Sequence, residues 1–235
     1  MLLPFTHDQF IEVFAAYNAA IWPVQVVAAL LGLGVCVAVA RGGTDSWPVA
    51  GAGLAAMWIW TGVAYHGLFF SRINEAAIGF GALFVLQGLL LLLAAVRGRL
   101  KFGPRTRRSP WAIAGWALIG YSAVLYPMVN WLTGMAYPGM PTFGVTPCPV
   151  TLFTFGVLLL ASRPPWWLVP IPFAWALLGG SAALLLRVPA DWVLLASAVS
   201  AVSLLARARE LQSNPTRTNP DIHNSSQLGS VSRHS

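Results

Sequence analysis

The chain has 235 residues, of which 57% are hydrophobic and only 9% are Asp, Glu, Lys or Arg. Soluble domains carry about 25% charged residues, so this composition excludes an ordinary water-exposed surface. The net charge of +7 comes from basic residues in short runs between apolar blocks, which is typical of a membrane protein and not of a nucleic-acid-binding one. We therefore predict an all-α, polytopic transmembrane helix bundle with no nucleic-acid partner.

The first predicted element is a short helix at about residues 6–20, lying at the outer membrane interface. Thr6 and Gln9 have the spacing of a capping box, which places the start of the helix near His7. A straight helix from there to the end of the first apolar block would be about 50 Å long, so we expect a bend, and Pro23 is the natural place for it. The opening residues lack a basic n-region and a cleavage site, so we expect no cleaved signal peptide.

Seven apolar blocks approach the roughly 20 residues that cross a bilayer. We predict spans at residues 15–40, 47–70, 76–96, 110–132, 146–162, 166–186 and 190–206. The fifth block reaches only about 25 Å at about 1.5 Å per residue, so its length alone permits either a span or a re-entrant segment.

Charge predicts the orientation of these spans. The loop after the third block carries Arg97, Arg99, Lys101, Arg105, Arg107 and Arg108. Basic loops remain in the cytoplasm, and three preceding spans then place the N-terminus outside. Arg207 and Arg209 mark the cytoplasmic side again, which requires the fifth block to cross. The prediction is a seven-span membrane domain at 1–207 and a cytoplasmic tail at 208–235, whose Ser, Asn and Thr content favours disorder.

Polar residues gather toward the outer ends of several predicted spans. Such groups are costly in lipid unless they face a partner or water, so their common level predicts an outward-facing polar pocket. The predicted binding residues are Asn18, Gln25, Thr61, Tyr65, His66, Arg72, Asn74, Glu75, Tyr126, Asn130, Thr146, Cys148 and Thr151. Structural roles are the alternative for several of them: Asn74 as an N-cap, Arg72 and Glu75 as a local pair, and His66 as a hydrogen-bonding group within the bundle.

The two cysteines and four histidines offer little for catalysis or metal binding. Cys36 and Cys148 fall in opposite predicted leaflets, so we expect no disulfide between them. The sequence has no His-Glu-x-x-His motif, paired Cys-x-x-Cys or glycine-rich phosphate loop. Cys148 stands in the first turn of the fifth span, where a helix dipole can activate a thiol, although simple packing is the alternative. We predict no catalytic residue, no metal and no cofactor.

Three stretches of the sequence resemble a known family. They are Phe14-Ala15-Ala16-Tyr17-Asn18 with Trp22-Pro23, Trp58 to His66 with Phe69-Phe70 and Ile73-Asn74, and Thr146-Pro147-Cys148-Pro149-Val150-Thr151. They resemble the bacterial membrane family catalogued as domain of unknown function 6064, over roughly residues 4–207. The resemblance implies a multi-pass protein of the bacterial inner membrane. Members of that family are sometimes labelled permeases, but the family supplies no substrate, cofactor or catalytic residue.

Three functional classes follow from these observations. We favour a permease-like protein whose outer pocket takes a small uncharged solute, because the inner halves of the spans lack the polar residues of an ion path. A non-catalytic binding or assembly subunit for a lipid or protein partner is the first alternative. A membrane redox enzyme or module centred on His66 is the second, and overall we do not expect an enzyme. The partners expected are the lipid bilayer, a small solute and, for a homo-oligomer, further copies of the chain.

Overall fold

The chain folds into helices throughout the part that the structure, a computed structural model, describes: residues 4–43, 46–103, 109–186 and 188–213. The α-helices of this part are α1 His7–Ala20, α2 Val24–Arg41, α3 Ser46–Trp60, α4 Ala77–Val96, α5 Pro110–Gly120, α6 Tyr126–Leu132, α7 Pro147–Leu160, α8 Pro170–Leu185 and α9 Trp192–Ser213. Two π-helical segments, π1 Thr61–Phe69 and π2 Tyr121–Leu125, continue α3 and join α5 to α6. Short 3₁₀ turns lie at Phe70–Arg72, Trp166–Leu168 and Pro189–Asp191. The predicted all-α class is confirmed.

Four helical segments of the described chain are long and apolar enough to cross a membrane: Val24–Arg41, Ala77–Val96, Pro110–Leu132 and Trp166–Leu185. Pro147–Leu160 and Pro189–Leu204 are shorter apolar helices. Large apolar side chains such as Leu30 and Val96 point outward from these helices. A continuous apolar exterior of this kind is characteristic of lipid-facing protein. Length and composition thus indicate a membrane protein, whereas the seven spans and their orientation stay predictions.

The first apolar block, predicted at residues 15–40, is divided between two helices. α1 starts with the predicted capping box: the Thr6 hydroxyl accepts a hydrogen bond from the Gln9 amide at 3.2 Å, and the Gln9 side chain accepts one from the Thr6 amide at 2.9 Å. α1 ends at Ala20 and α2 begins at Val24. The chain therefore turns next to Pro23, because proline cannot donate the hydrogen bond that would continue a helix.

Helix α7 lies at the centre of the bundle, and all of its residues from Pro149 to Leu160 are buried. It packs against α3, α5, α8 and α9. A helix that is apolar on every face can be covered in this way, since it needs no polar side toward water. Its threonines hydrogen-bond to carbonyls one turn earlier, and the Thr154 hydroxyl also accepts a 2.8 Å bond from the Trp58 indole. The short fifth block is thus the core of the bundle.

Glycines allow two pairs of helices to approach backbone to backbone. A Cβ atom on Gly156 of α7 would lie 2.7 Å from the Gly115 carbonyl oxygen of α5. A Cβ atom on Gly81 of α4 would lie 2.8 Å from the Gly62 carbonyl oxygen of π1. Small residues at such crossings are a common means of helix packing in membranes, where van der Waals contact contributes much of the association energy.

Charged residues segregate between the two ends of the bundle. Near one end, the Ser162 amide donates a 2.7 Å hydrogen bond to the Lys101 carbonyl, and Trp47 lies against Gly98. We call this the basic end; its described basic residues are Arg41, Arg97, Arg99, Lys101 and Arg163. The opposite end, which we call the cavity end, holds the described acids Asp8, Glu12, Glu75 and Asp191 together with one basic residue, Arg72.

Several parts of the sequence predictions lie outside the described residues. They are Arg105, Arg107 and Arg108 of the basic loop, and the predicted disordered tail from residue 214 onward. Helix α9 continues to Ser213, past the predicted end of the seventh span at residue 206.

Candidate functional site

A cavity of about 330 Å³ lies at the cavity end of the bundle. It is enclosed by α1, by π1 and the turn after it, and by α4, α7, α8 and the 3₁₀ turn that precedes α9. Leu178 and Leu185 of α8 line it and are also exposed, so the cavity reaches the outer surface of the bundle beside α8. Most of its walls are apolar side chains, which limits what can occupy it.

Aromatic rings form one continuous wall of this cavity. Tyr65 of π1 stacks on Phe14 of α1 with ring centroids 5.3 Å apart, and on Phe70 at 5.6 Å. Phe10 meets Phe14 edge to face at 4.8 Å, and Phe5 meets Phe70 in the same manner at 5.3 Å. Aromatic pairs of this kind contribute stabilising energy in addition to that from burial of their surface, so the wall is preformed. We call these five residues the aromatic wall.

The one acidic group that lines the cavity within the described chain is a buried carboxylate. Asp191 lines the cavity from the 3₁₀ turn before α9 and is only 4% exposed. The Tyr126 hydroxyl of α6 donates a hydrogen bond to one of its oxygens, and Cys148 of α7 lines the same cavity. The Tyr121 hydroxyl fixes the turn by donating to the Ala190 carbonyl at 2.8 Å. Two helices and one turn thus bring together three residues that we call the acidic cluster: Tyr126, Cys148 and Asp191.

The two π-helical segments help to place these side chains. π1 carries Tyr65 and His66, and π2 ends immediately before Tyr126. A π-helical segment adds a residue to the helical turn, which rotates the following side chains relative to a regular α-helix, and such segments occur frequently at functional sites. Both π segments of the described chain therefore lie next to the same cavity.

His66 is buried directly behind the cavity. Its ring centroid is 5.1 Å from that of Trp175 and 4.7 Å from that of Phe84, and it also faces Phe80. Neither ring nitrogen has a hydrogen-bond partner among the described residues. Trp175 lines the cavity and is held close to α8 because Gly179 has no side chain: a Cβ there would lie 3.1 Å from the indole nitrogen. Trp175 and the aromatic wall therefore separate His66 from the cavity.

Of the residues predicted from the sequence, Tyr65, Asn74 and Cys148 line the cavity. Tyr126 does not line it, but its hydroxyl donates a hydrogen bond to Asp191, which does. Asn130 lies one helical turn after Tyr126, is fully buried, and has no hydrogen-bond partner for its side-chain amide within the described chain. These residues remain candidates for the site.

Asn18 and Gln25 instead organise the loop between α6 and α7. The Asn18 amide donates to the carbonyls of Pro138 and Met140 at 2.6 and 2.8 Å, and its oxygen accepts from the Thr142 hydroxyl at 2.9 Å. Gln25 donates to the Asn18 backbone carbonyl at 2.9 Å. These bonds give both residues a structural role in holding the loop whose Pro141 lines the cavity.

The remaining predicted residues have local partners or face outward. The Thr61, Thr146 and Thr151 hydroxyls donate to carbonyls four residues earlier. Arg72 and Glu75 are exposed and form no ion pair with each other; the Arg72 guanidinium instead lies 4.9 Å from the centre of the Phe69 ring. Asn74 lines the cavity and also accepts a hydrogen bond from the Ala76 amide at 3.1 Å.

The residues missed by sequence reasoning are Asp191 and Trp175. Asp191 stands in the apolar context Val188-Pro189-Ala190-Asp191-Trp192, and an acidic residue at the start of a predicted span is itself an indication of function. Trp175 gives no such indication, since tryptophans are frequent in this chain.

Within the described residues, no three His, Cys, Asp or Glu side chains are close enough to hold a metal ion together.

Comparisons with known proteins give one finding about the family. The model of a family of unknown function, DUF6064, matches residues 7–215. No curated protein and no solved structure matches the chain.

Proposed function

The chain belongs to the DUF6064 family, which is of unknown function, and we propose from its cavity that it is a membrane protein that binds a small, mainly apolar molecule. The single observation that carries this proposal is the cavity itself: about 330 Å³, aromatic on one wall and polar at one point. Ligand sites are typically concave, preformed and mainly apolar, with a few polar groups that orient the ligand, and about 300 Å³ is the lower end of their usual size.

The cavity faces outward in the topology that we propose. The described basic residues near the helix ends collect mainly at the basic end, which supports assigning that end to the cytoplasm of a bacterial inner membrane. In this arrangement α2, α3 with π1, α4, the continuous segment α5–π2–α6, α7, α8 and α9 form seven crossings. α1, with its exposed Asp8 and Gln9, lies at the outer interface above the cavity.

Binding is better supported than transport. A permease requires a passage from the outer cavity to the cytoplasmic side. Between the cavity and the basic end, α7 is buried at every residue from Pro149 to Leu160, with Phe153 and Phe155 fully enclosed. Close packing of this kind leaves no polar route for a solute, so we assign the chain to the class of non-catalytic binding proteins.

Filling the cavity should abolish binding. Ala182 of α8 lines the cavity, whereas Leu184, two residues later, does not line it and is exposed. We expect Ala182→Phe to weaken binding of the neutral fluorescent probe N-phenyl-1-naphthylamine by about tenfold or more, because the added ring takes the space of the ligand. The matched variant Leu184→Phe should bind it as the wild type does. The measurement is a fluorescence titration of the purified chain in lipid nanodiscs, with empty nanodiscs as the background. Equal binding by wild type and Ala182→Phe would refute the proposal.

A further inference from the structure

We propose that the ligand is a hydrophobic amine, whose ammonium group binds the Asp191 carboxylate while its apolar body lies along the aromatic wall. This inference rests on the proposed function, since it names the chemical class that the same cavity accepts. It departs from the uncharged solute favoured by the sequence, because Asp191 was not among the predicted site residues.

Asp191 is a buried carboxyl group that forms no ion pair with a basic side chain of the described residues. Its carboxylate is almost fully buried, and the group that donates a hydrogen bond to it, the Tyr126 hydroxyl, is neutral. Buried charges in proteins are normally paired, because desolvation without a counter-charge is very costly. A cation that enters the cavity would supply the missing partner.

An aromatic surface lines the same cavity as that carboxylate. Tyr65 lines the same cavity as Cys148 and Asp191, and it stacks on Phe14 and Phe70 of the aromatic wall. Trp175 lies on another side of the cavity. Aromatic rings attract ammonium groups through their quadrupoles, most strongly in desolvated sites. A carboxylate among such rings is therefore suited to an organic cation.

An inorganic cation fits this site less well. Ca²⁺ takes six to eight oxygen ligands and Mg²⁺ requires six in regular geometry. Asp191 is the one carboxylate that lines the cavity within the described chain, and no cluster of three metal-ligating side chains is present there. An ammonium needs only a few acceptors, and its hydrocarbon portion gains from contact with the apolar walls.

The test uses two ligands of the same shape that differ in charge. 4-Phenylbutylamine is cationic at about pH 7.5, whereas 4-phenylbutanol is neutral. Each competes with N-phenyl-1-naphthylamine for the full-length chain in nanodiscs, in the wild type, in Asp191→Asn and in the control Asp8→Asn. Asp8 is a carboxylate at the same end of the bundle whose side chain is 94% exposed. Asparagine retains an oxygen that accepts the Tyr126 hydrogen bond, so Asp191→Asn removes mainly the charge.

We expect the wild type and Asp8→Asn to prefer the amine over the alcohol by about tenfold or more, and Asp191→Asn to lose this preference while still binding the naphthylamine. If amine and alcohol compete equally in the wild type, the amine assignment is overturned and cavity binding stands. An amine preference that survives in Asp191→Asn would overturn the role of Asp191. If no compound binds any variant, the proposed function itself fails. The wild-type ratio decides the question even if Asp191→Asn does not fold.

Discussion

Buried polar side chains in this chain fall into two groups at the scale of single residues. Asn18 is fully buried, and its side-chain amide makes three hydrogen bonds to the loop between α6 and α7. His66 is equally buried but has no hydrogen-bond partner among the described residues. A satisfied polar group stabilises a fold, whereas an unsatisfied one costs about 1–3 kcal/mol of desolvation.

Replacing His66 with an apolar residue should therefore cost nothing. We expect His66→Leu to leave the melting temperature unchanged or to raise it by about 2–4 °C, because the unpaired nitrogens are removed. The matched variant Asn18→Ala, which loses three satisfied bonds, should lower it by several degrees. Both are measured by thermal unfolding of the purified chain without ligand. A loss of stability in His66→Leu equal to that in Asn18→Ala would mean that His66 has a partner in the resting protein, contrary to our account.

At the scale of elements, close helix crossings set the shape of the bundle. α5 meets α7 at Gly115 and Gly156, and π1 meets α4 at Gly62 and Gly81. Tyr65 and His66 belong to π1, so the second crossing also determines the position of Tyr65 in the aromatic wall. Packing of this density tolerates little added volume.

A single methyl group at the α5–α7 crossing should be costly. In Gly156→Ala the new Cβ would lie 2.7 Å from both the Gly115 carbonyl oxygen and the Ile119 Cγ1 atom, so two helix backbones must separate. We expect a loss of about 1–3 kcal/mol in unfolding free energy. Gly34→Ala in α2 is the control, because nothing lies within 4 Å of its Cβ position. It should be neutral or slightly stabilising, since alanine favours helix. Equal stability of the two variants in denaturant titrations would argue against the crossing.

The positions of the helices were largely predictable from the sequence, because apolar runs of bilayer length admit few other structures. The start of α1 was predictable as well, since the Thr6–Gln9 capping box is a local signal. The site was predictable only in part. Tyr65 and Cys148 were identified by their predicted level in the bilayer, whereas Asp191 joins them through the packing of α6, α7 and the turn before α9. The π segments were not predicted either, because they depend on tertiary contacts and not on a sequence motif.

At the scale of the whole molecule, the proposed site depends on the separation of the two ends. The basic end is packed around the buried α7 helix, and the cavity end combines α1, the aromatic wall and the acidic cluster. In the topology that we propose, a ligand would enter and leave from the outer side or from the outer leaflet beside α8. This arrangement is consistent with the binding role that we propose, in which α1 covers the site.

The most direct test of this outward-facing ligand cavity is the labelling of Cys148, which lines it, in the Cys36→Ser chain. Right-side-out membrane vesicles are treated with a small, membrane-impermeant methanethiosulfonate, with and without N-phenyl-1-naphthylamine, and the modified fraction is followed over time by mass spectrometry. The Cys148→Ser chain, which retains Cys36 of α2, is the control. Our account predicts that Cys148 is labelled from outside, that the naphthylamine slows its labelling, and that Cys36 is not labelled. If Cys148 is not labelled from the outside, or if it is labelled at the same rate when the naphthylamine is bound, the account is contradicted.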